Sequence, residues 1–383
     1  MAAFRFVLSL ALAVGIAAIY EAIVRLSPIH PAPPILLPPV SLSGAFTPNA
    51  FLSSNLRRIG GGGLIPFPED VVADTHGFLF VTCGDGWIKR VDPFSDLVEN
   101  FAFLGKGRRP LGITFGRQGE LIVCDPDVGL LNVTKDKIEL LTDEVDGVKL
   151  RFTDAAAVSM QDGSIYFTDA SKKYSFAEYV RGLIDVSPDG RLLKYDEATR
   201  KTTVLIDGLY FANGVALSRA ENFLVVCETM QARCQRYWLK GEKKGQSELF
   251  IDRLPAFPDN IKNDGEGHFW IALLAARPFY TDWLFRFPII LQLQEVLGLS
   301  EVAFKKLCKR ALVLAVTEEG QPVRTLGDPM GAAISMVTTA YVVGDDLYLG
   351  SLNVDFLGHM KLNASLKPTV TPPPFPSPSD SRG

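Results

Sequence analysis

The sequence predicts an all-β protein, a six-bladed β-propeller, and three observations support this. A unit made of a short apolar strand, a polar turn and a second apolar strand recurs six times in 383 residues. Most of the turns contain Gly, Asp, Asn or Glu, residues that favour chain reversal. Helical periodicity is confined to two places. Because such units bury their faces on one another, six of them are expected to close into a ring.

The six units run through most of the chain, so we expect one propeller domain over residues 41–366. We expect the first strand of each unit to lie innermost, around a central channel. A strand within Ser41–Phe67 should complete the last blade and close the ring. The units are Glu69–Cys83, Pro110–Cys124, Thr153–Thr168, Asn213–Cys227, Asp259–Ala272 and Ile334–Ser351.

The segments outside the propeller have distinct compositions. Residues 1–26 are apolar and predict a signal peptide or a signal anchor; the run Phe6–Tyr20 is short for a full span, and no A-x-A cleavage site follows it. Residues 27–40 are Pro-rich and predict an extended spacer. Residues 367–383 are rich in Pro and Ser and predict a disordered tail.

The N-terminal segment places the body in the lumen of the secretory pathway, with the vacuole or the endoplasmic reticulum as the favoured compartments. Glycosylation sequons begin at Asn132 and Asn363. In an oxidising lumen Cys227 and Cys234 can form a disulfide across a hairpin, although two buried thiols fit the sequence equally well. The net charge of −4 without a basic stripe argues against a nucleic-acid partner.

Two insertions interrupt the β pattern. Ser171–Pro188 follows the third unit, and Arg277–Leu312 is placed between the fifth and sixth blades. The second has apolar residues at helical spacing, which predicts helices. It can cap the propeller, form a substrate lid or lie on a membrane surface. Membrane association is therefore expected to involve the N-terminal segment and residues 277–312.

Oxygen-bearing side chains occur at the starts of several units, and these starts should meet at one rim of the channel. Two carboxylates, Glu69 and Asp259, and two amides, Asn213 and Asn260, would converge there. Hard oxygen ligands of this kind suit a divalent cation, with Ca²⁺ as the expected ion. No His or Cys stands at a unit start, which makes softer metals less suitable.

Seven motifs, in this order along the chain, resemble the plant strictosidine synthase-like family. That family is related to adipocyte plasma membrane-associated protein and, distantly, to the paraoxonase and gluconolactonase propellers. The resemblance covers about residues 60–362 and implies a six-bladed propeller with a small-molecule site in the channel. The motifs are PED (68–70), RPLGI (109–113), YFTDAS (166–171), LYFANGVALS (209–218), FPDNI (257–261), GHFWIAL (267–273) and LYLGSL (347–352).

The resemblance implies specific ligands and specific departures. Glu69, Asn213 and Asp259 match the metal ligands of the lactonase relatives, whereas Thr153 replaces an Asn ligand. Ser335 stands in the place of the Glu that strictosidine synthase uses to move protons. A Pictet–Spengler condensation therefore lacks its acid here.

The expected function is divalent-metal-dependent hydrolysis of a small hydrophobic ester or lactone. Asp259 would be both a metal ligand and the catalytic base, and Arg109, Thr153 and Ser335 would contact the substrate. Two alternatives remain open: strictosidine-type condensation, and a non-catalytic propeller that binds a ligand or a partner.

Overall fold

The computed structural model describes residues 2–31, 37–363 and 366. Within these residues the chain forms six four-stranded antiparallel sheets, which confirms the six-bladed propeller. The predicted tail, residues 367–383, lies outside the described residues. One additional two-stranded hairpin follows the second blade.

Strand β1 (Arg57–Ile59) belongs to the last blade, and every other blade takes four consecutive strands. Blade one contains β2 (Val71–Ala73), β3 (Leu79–Thr82), β4 (Trp87–Val91) and β5 (Val98–Phe103). Blade two contains β6 (Ile113–Phe115), β7 (Leu121–Asp125), β8 (Gly129–Val133) and β9 (Ile138–Thr142), and the small hairpin is β10 (Glu144–Val145) with β11 (Val148–Lys149). Blade three contains β12 (Thr153–Val158), β13 (Ile165–Asp169), β14 (Gly190–Asp196) and β15 (Lys201–Leu209).

The remaining blades follow the same plan. Blade four contains β16 (Ala212–Leu217), β17 (Phe223–Glu228), β18 (Arg233–Trp238) and β19 (Ser247–Ile251). Blade five contains β20 (Ala256–Asn263), β21 (His268–Ala276), β22 (Ala311–Thr317) and β23 (Pro322–Asp328). Blade six contains β24 (Val337–Val343), β25 (Asp346–Ser351) and β26 (Leu357–Lys361), completed by β1.

The first strand of each unit is the innermost strand, as predicted. Strands β2, β6, β12, β16, β20 and β24 each contact the next in this order, and β24 returns to β2. The second strands are buried on both faces, as in β17 and β21, because neighbouring blades cover them. This burial explains their nearly continuous apolar sequences. The outermost strands are partly exposed, as in β5.

The ring is closed by the N-terminal strand, which confirms the second topological prediction. Strand β1 pairs antiparallel with β26, with Ile59 opposite Leu357. The N-terminal and C-terminal parts of the propeller therefore share one blade, in which β1 covers the outer edge of β26.

The helices lie at the N-terminus and on the end of the propeller where the inner strands begin. They are α1 (Ala2–Leu26), α2 (Phe51–Asn55), α3 (Tyr179–Asp185), α4 (Phe279–Leu284), α5 (Pro288–Val296) and α6 (Ser300–Leu307). In the part of the chain that the structure describes, short 3₁₀ segments occur at Gly44–Phe46, Phe176–Glu178 and Thr229–Gln231.

The predicted position of the main helical insertion is wrong. Helices α4, α5 and α6 lie between β21 and β22, inside blade five, and not between blades five and six. The repeating pattern reveals only the first two strands of each unit. The chain after the insertion still supplies the two outer strands of the fifth sheet, and their pairing is not visible in that pattern.

The Pro-rich segment, residues 27–40, was expected to be an extended spacer, but its described parts pack against the propeller. Its described parts have no helix or strand, but Ile29 and Leu37 are buried in the largest apolar cluster. The backbone amide of His30 donates to Asp185 at 2.7 Å, and Arg277 donates to the Pro38 carbonyl at 2.6 Å. The apolar residues between the prolines hold the segment against the propeller.

Of the two alternatives for Cys227 and Cys234, a disulfide or two buried thiols, the structure has the disulfide. Cys227 and Cys234 face each other on β17 and β18 and form a disulfide. Cys83, Cys124 and Cys308 are free and buried.

The two glycosylation predictions remain untested. Asn132 is half-buried within β8, and Asn363 follows β26, with the rest of its sequon outside the described residues.

Candidate functional site

The site is built where blades one and five, which flank blade six in the ring, bring side chains together in the channel. Glu69 lies two residues before β2 and Asn260 lies in β20, and both side chains are buried. The amide nitrogen of Asn260 donates to Glu69 Oε1 at 2.7 Å. Residues 191 positions apart therefore meet in the centre of the ring, as predicted from the unit starts.

Irregularities in the inner strands direct these side chains inward. The pairing of β12, β16, β20 and β24 with the second strand shifts register near the start of each inner strand. The shifted stretches contain Asp154, Asn213 and Asp259. A β-bulge bends its strand and redirects side chains, which accounts for adjacent polar residues at a crowded channel.

Three of the predicted site residues present a buried oxygen without a hydrogen-bond partner. These atoms are Glu69 Oε2, Thr153 Oγ1 and Asn213 Oδ1. Buried polar atoms are normally paired, and leaving one unpaired costs about 1–3 kcal/mol. Three such atoms at the starts of three inner strands indicate a place for a ligand.

Several buried acidic side chains lie at the same end of the channel. Burial, followed by repulsion from Asp70 and Asp259, raises the pKa of Glu69 well above its usual value. Burial and the nearby Glu69 likewise raise the pKa of Asp154. The pKa of Asp259 is raised by burial and by Asp154, while a hydrogen bond from the Asn213 side chain opposes the rise.

Asp70 differs from the other acids because it has a full set of partners. Lys262 Nζ lies 2.6 Å from Asp70 Oδ2, and the backbone amide of Ile113 donates to the same oxygen at 2.9 Å. This pair ties β20 to the first two blades. Among the described residues, the carboxyls of Glu69, Asp154 and Asp259 form no such ion pair, and burial opposes their ionisation.

Buried acids at the ends of the second strands hold the segments that lead into the inner strands. Asp169 Oδ1 accepts a hydrogen bond from the backbone amide of Phe152 at 2.9 Å, and Asp169 Oδ2 pairs with Arg191. Glu228 accepts from the amide of Tyr210 at 3.1 Å and pairs with Arg233. These contacts position the neighbouring site residues Thr153 and Asn213.

Arg109 lies at the mouth of the channel, half-buried between two aromatic rings. Its guanidinium carbon is 5.7 Å from the ring centres of both Phe67 and Phe176. Burial lowers the pKa of Arg109, while the charge of Glu69 opposes this change. The position is compatible with its predicted role toward a substrate.

Aromatic residues surround the entrance. Phe152 packs edge-to-face with Phe211, with ring centres 5.3 Å apart, and with Phe176 at 5.7 Å. Phe176 stacks on Tyr179, which contacts Phe304 of α6. A chain of rings therefore connects the channel entrance with the helical insertion.

The insertion covers the acidic end of the channel. Cys308 directly follows α6, and burial raises its pKa to about 12, with a contribution from the charge of Asp259. Phe257, two residues before Asp259, packs against Phe285 at 6.1 Å between ring centres. The insertion thus gives the site an apolar cover, and the acidic side chains of the channel lie beneath this cover.

Two further sequence predictions can be placed. Ser335 is buried before β24, where its hydroxyl accepts a hydrogen bond from Asn353 at 2.8 Å. A hydroxyl therefore stands at this position, in place of the acid that a condensation would need. His76 and His268 stand beside the β2–β3 and β20–β21 turns, away from the unit starts.

Sequence reasoning missed Asp154 as a site residue and did not assign Asn260 and Lys262 their roles. The signal for Asp154 was its position beside Thr153, equivalent to Asp70 beside Glu69. Packing in the apolar core does not explain a carboxylate inside the otherwise apolar run TDAAAV. Lys262 gave no signal, because its partner Asp70 lies 192 positions away.

The donor set fits a hard cation only if amide and hydroxyl oxygens take part. Among the described residues, no three His, Cys, Asp or Glu side chains form a metal-binding group by themselves. The unpaired oxygens of Glu69, Thr153 and Asn213 supply the missing donors. Carboxylate and carbonyl oxygens are the ligands that Ca²⁺ takes in proteins.

The fold defines a class, the six-bladed β-propellers. A gluconolactonase from Xanthomonas campestris has the same fold, with a TM-score of 0.57 and 15% identity over 88% of this chain and 99% of that chain. The strictosidine synthase family model matches residues 154–242, and the strictosidine synthase-like N-terminal model matches residues 44–91.

The chain belongs to the strictosidine synthase-like family. It is 39% identical to Protein Strictosidine synthase-like 4 of Arabidopsis thaliana over 79% of this chain and 81% of that protein. It is also 34% identical to the human adipocyte plasma membrane-associated protein over 88% of this chain and 85% of that protein. These matches confirm the family resemblance inferred from the motifs.

Proposed function

We propose that the channel binds a divalent cation, Ca²⁺ in the first instance, and that the protein hydrolyses small hydrophobic esters or lactones. The observation that carries the proposal is the set of three unpaired buried oxygens on Glu69, Thr153 and Asn213. A cation would satisfy them together and would offset the repulsion among the buried carboxyls. Asp259 would complete the ligand set.

The chemistry follows from that arrangement. When bound, a divalent cation would polarise an ester carbonyl and lower the pKa of an adjacent water molecule. Asp259 would accept the proton of the attacking water as the general base. Phe152 and Phe211 would exclude bulk water, and Arg109 would orient the acidic product.

The compartment is part of the same proposal. A disulfide such as Cys227–Cys234 forms and persists in oxidising compartments, and an apolar N-terminal helix is compatible with entry into the secretory pathway. We place the propeller in the lumen, in the vacuole or the endoplasmic reticulum. Imaging of the full chain with a C-terminal tag distinguishes these two compartments.

The test is metal analysis of the purified full chain together with hydrolysis of a panel of lactones and aryl esters. We expect stoichiometric Ca²⁺ and loss of hydrolysis on adding a chelator, with recovery when Ca²⁺ is restored. Glu69→Gln should lower cation affinity by more than about tenfold. Asp264→Asn is the matched control, because Asp264 lies in the β20–β21 turn, at the other end of blade five's inner strand.

Three outcomes would contradict the proposal. Hydrolysis that is unchanged by the chelator would exclude a role for the cation. Product from tryptamine and secologanin would instead support the condensing alternative. A specific partner, without turnover or bound cation, would support the non-catalytic alternative.

A further inference from the structure

A cavity of about 370 Å³ lies between the helical insertion and blades four and five. Its volume falls within the usual range of ligand pockets, about 300–1,000 Å³. Most of its wall is aliphatic or aromatic, for example Leu183, Phe285 and Leu291. Lys306 is the one charged residue among the described residues that line it. The cavity therefore suits a hydrocarbon chain with a polar or anionic end.

The cavity shares a wall with the candidate site. Thr229 and Phe257 both line it. The hydroxyl of Thr229 donates to the carbonyl of Pro258 at 2.8 Å, and Pro258 directly precedes Asp259. A chain held in the cavity would thus have its end close to the acidic part of the channel.

An N-terminal helix inserted in a bilayer would hold this face of the propeller close to the plane of the membrane. Within α1, the 23 residues Phe4–Leu26 are apolar and long enough to cross a bilayer. At 1.5 Å per residue they span about 34 Å, against a hydrocarbon core of about 30 Å. Helix α1 contacts α5, and Gln292 of α5 donates to the carbonyl of Ile29 at 3.1 Å. With α1 inserted, the insertion therefore lies at the bilayer surface.

The outer surface of the insertion has the composition of a membrane interface. Phe279 is 85% exposed, and Trp283 and Leu297 are also exposed. Large exposed apolar patches mark interaction surfaces, and aromatic side chains favour the membrane interface. The last turn of α6 adds Lys305 and Lys306, which can approach lipid phosphates.

The cavity opens on this same surface. Tyr280, Leu299 and Val302 line the cavity and are also exposed to the outside. The opening therefore stands among the residues that face the bilayer when α1 is inserted.

We propose that the cavity under the insertion binds an acyl chain that enters from the membrane in which α1 lies. The substrate class is then an acyl-chain ester or lactone dissolved in the bilayer. That assignment rests on the proposed hydrolase function, whereas binding of the chain does not. Burial of each methylene contributes about 0.8 kcal/mol, so even part of a chain gives a strong preference over a short acyl group.

The test uses the full chain in phosphatidylcholine nanodiscs that contain a palmitoyl lipid with a diazirine on its acyl chain. After irradiation, labelled peptides are mapped by mass spectrometry. We expect labels on cavity residues of α4 and α6 as well as on α1. Ala303→Trp fills the cavity and should lower labelling there about tenfold, equivalent to about 1.4 kcal/mol. Glu301→Trp, on the exposed side of α6, is the matched control and should leave it unchanged.

The labelling and the enzymatic readouts separate the two proposals. Ala303→Trp should raise KM for a palmitoyl ester but not for an acetyl ester of the same alcohol. If no ester is hydrolysed, the labelling result still decides whether the cavity binds a chain. If Ala303→Trp does not fold, Val302→Asp at the opening replaces it and should give the same loss of labelling.

Labels confined to α1 and the outer surface would overturn the inference. Equal labelling of wild type and Ala303→Trp would do the same. So would sequencing that shows removal of residues 1–26 from the mature protein, because the propeller would then lose its attachment to the bilayer.

Discussion

At the scale of the residue, the buried acids of the channel are the most informative feature. Burial, followed by repulsion from neighbouring acids, raises the pKa of Glu69, Asp154 and Asp259, whereas Asp70 is paired with Lys262. Close carboxylates cannot all ionise in a buried place without a compensating positive charge. Without a cation, at least part of this group must therefore hold protons.

Asp154→Asn should stabilise the cation-free protein at neutral pH. A carboxyl with a raised folded-state pKa contributes stability below its unfolded pKa, about 3.9 for Asp, and loses it as pH rises through the folded pKa. Removing this titration should therefore raise the free energy of unfolding at neutral pH. Urea titrations between acidic and neutral pH measure it, and the fall in stability with rising pH should become shallower.

The paired acid provides the control for this experiment. Asp70→Asn leaves Lys262 as a buried charge without its partner, and breaking such a pair costs about 3–5 kcal/mol. The two substitutions should thus change the free energy of unfolding in opposite directions: Asp154→Asn should raise it and Asp70→Asn should lower it. If Asp154→Asn were as destabilising as Asp70→Asn, Asp154 would be a paired structural residue and the charge argument would be wrong.

At the scale of the element, glycines allow the inner strands to approach one another. A Cβ on Gly214 would lie 2.6 Å from Asn260 Cα and 2.7 Å from the Asp259 carbonyl oxygen. A Cβ on Gly112 would likewise lie 2.6 Å from the Asp154 carbonyl oxygen and 2.7 Å from Ala155 Cα. Both glycines stand beside site residues, so the spacing of the strands also determines the spacing of the ligands.

Gly214→Ala should lower both stability and cation affinity. Overpacking against backbone costs about 1–3 kcal/mol, and separation of β16 from β20 would move Asn213 away from Asp259. Denaturant unfolding and calcium titration measure the two effects. Gly61→Ala is the control, because a Cβ on Gly61 meets no atom within 4 Å. A loss of stability without any change in calcium binding would contradict the link between strand spacing and the site.

At the scale of the whole molecule, closure of the ring depends on one short strand. Strand β1 supplies three residues to blade six, and Ile59 is fully buried in a cluster that joins blades one and six. All six inner strands must surround one channel for the site to exist. Weakening the closure should therefore affect the site although Ile59 does not belong to it.

Ile59→Ala should destabilise the protein by about 2–5 kcal/mol, the usual cost of removing this much buried side chain. Thermal unfolding measures the change, and calcium should offset part of it because a bound ligand stabilises the folded state. Leu42→Ala is the control, since Leu42 is largely exposed. Equal effects of the two substitutions would show that closure by β1 is not important for stability.

Much of this architecture was accessible from the sequence. Repetition of an apolar strand–turn–strand unit predicts a propeller, because such units are stable only when they stack. The same repetition aligned the unit starts, and the channel positions of Glu69, Asn213 and Asp259 followed from that alignment. Family motifs such as FPDNI agreed with it independently. These are local patterns that repeat, and they are visible without knowledge of the contacts.

The tertiary structure alone decided what depends on contacts between distant residues. Blades far apart in the chain are joined by the hydrogen bond between Asn260 and Glu69 and by the ion pair of Lys262 with Asp70. Burial and Glu69 of blade one together raise the pKa of Asp154 in blade three. The insertion's place inside blade five depends on which strands pair after it. Whether an oxygen is paired, and how strongly a carboxyl is repelled, is a property of its neighbours in space, which no spacing along the sequence specifies.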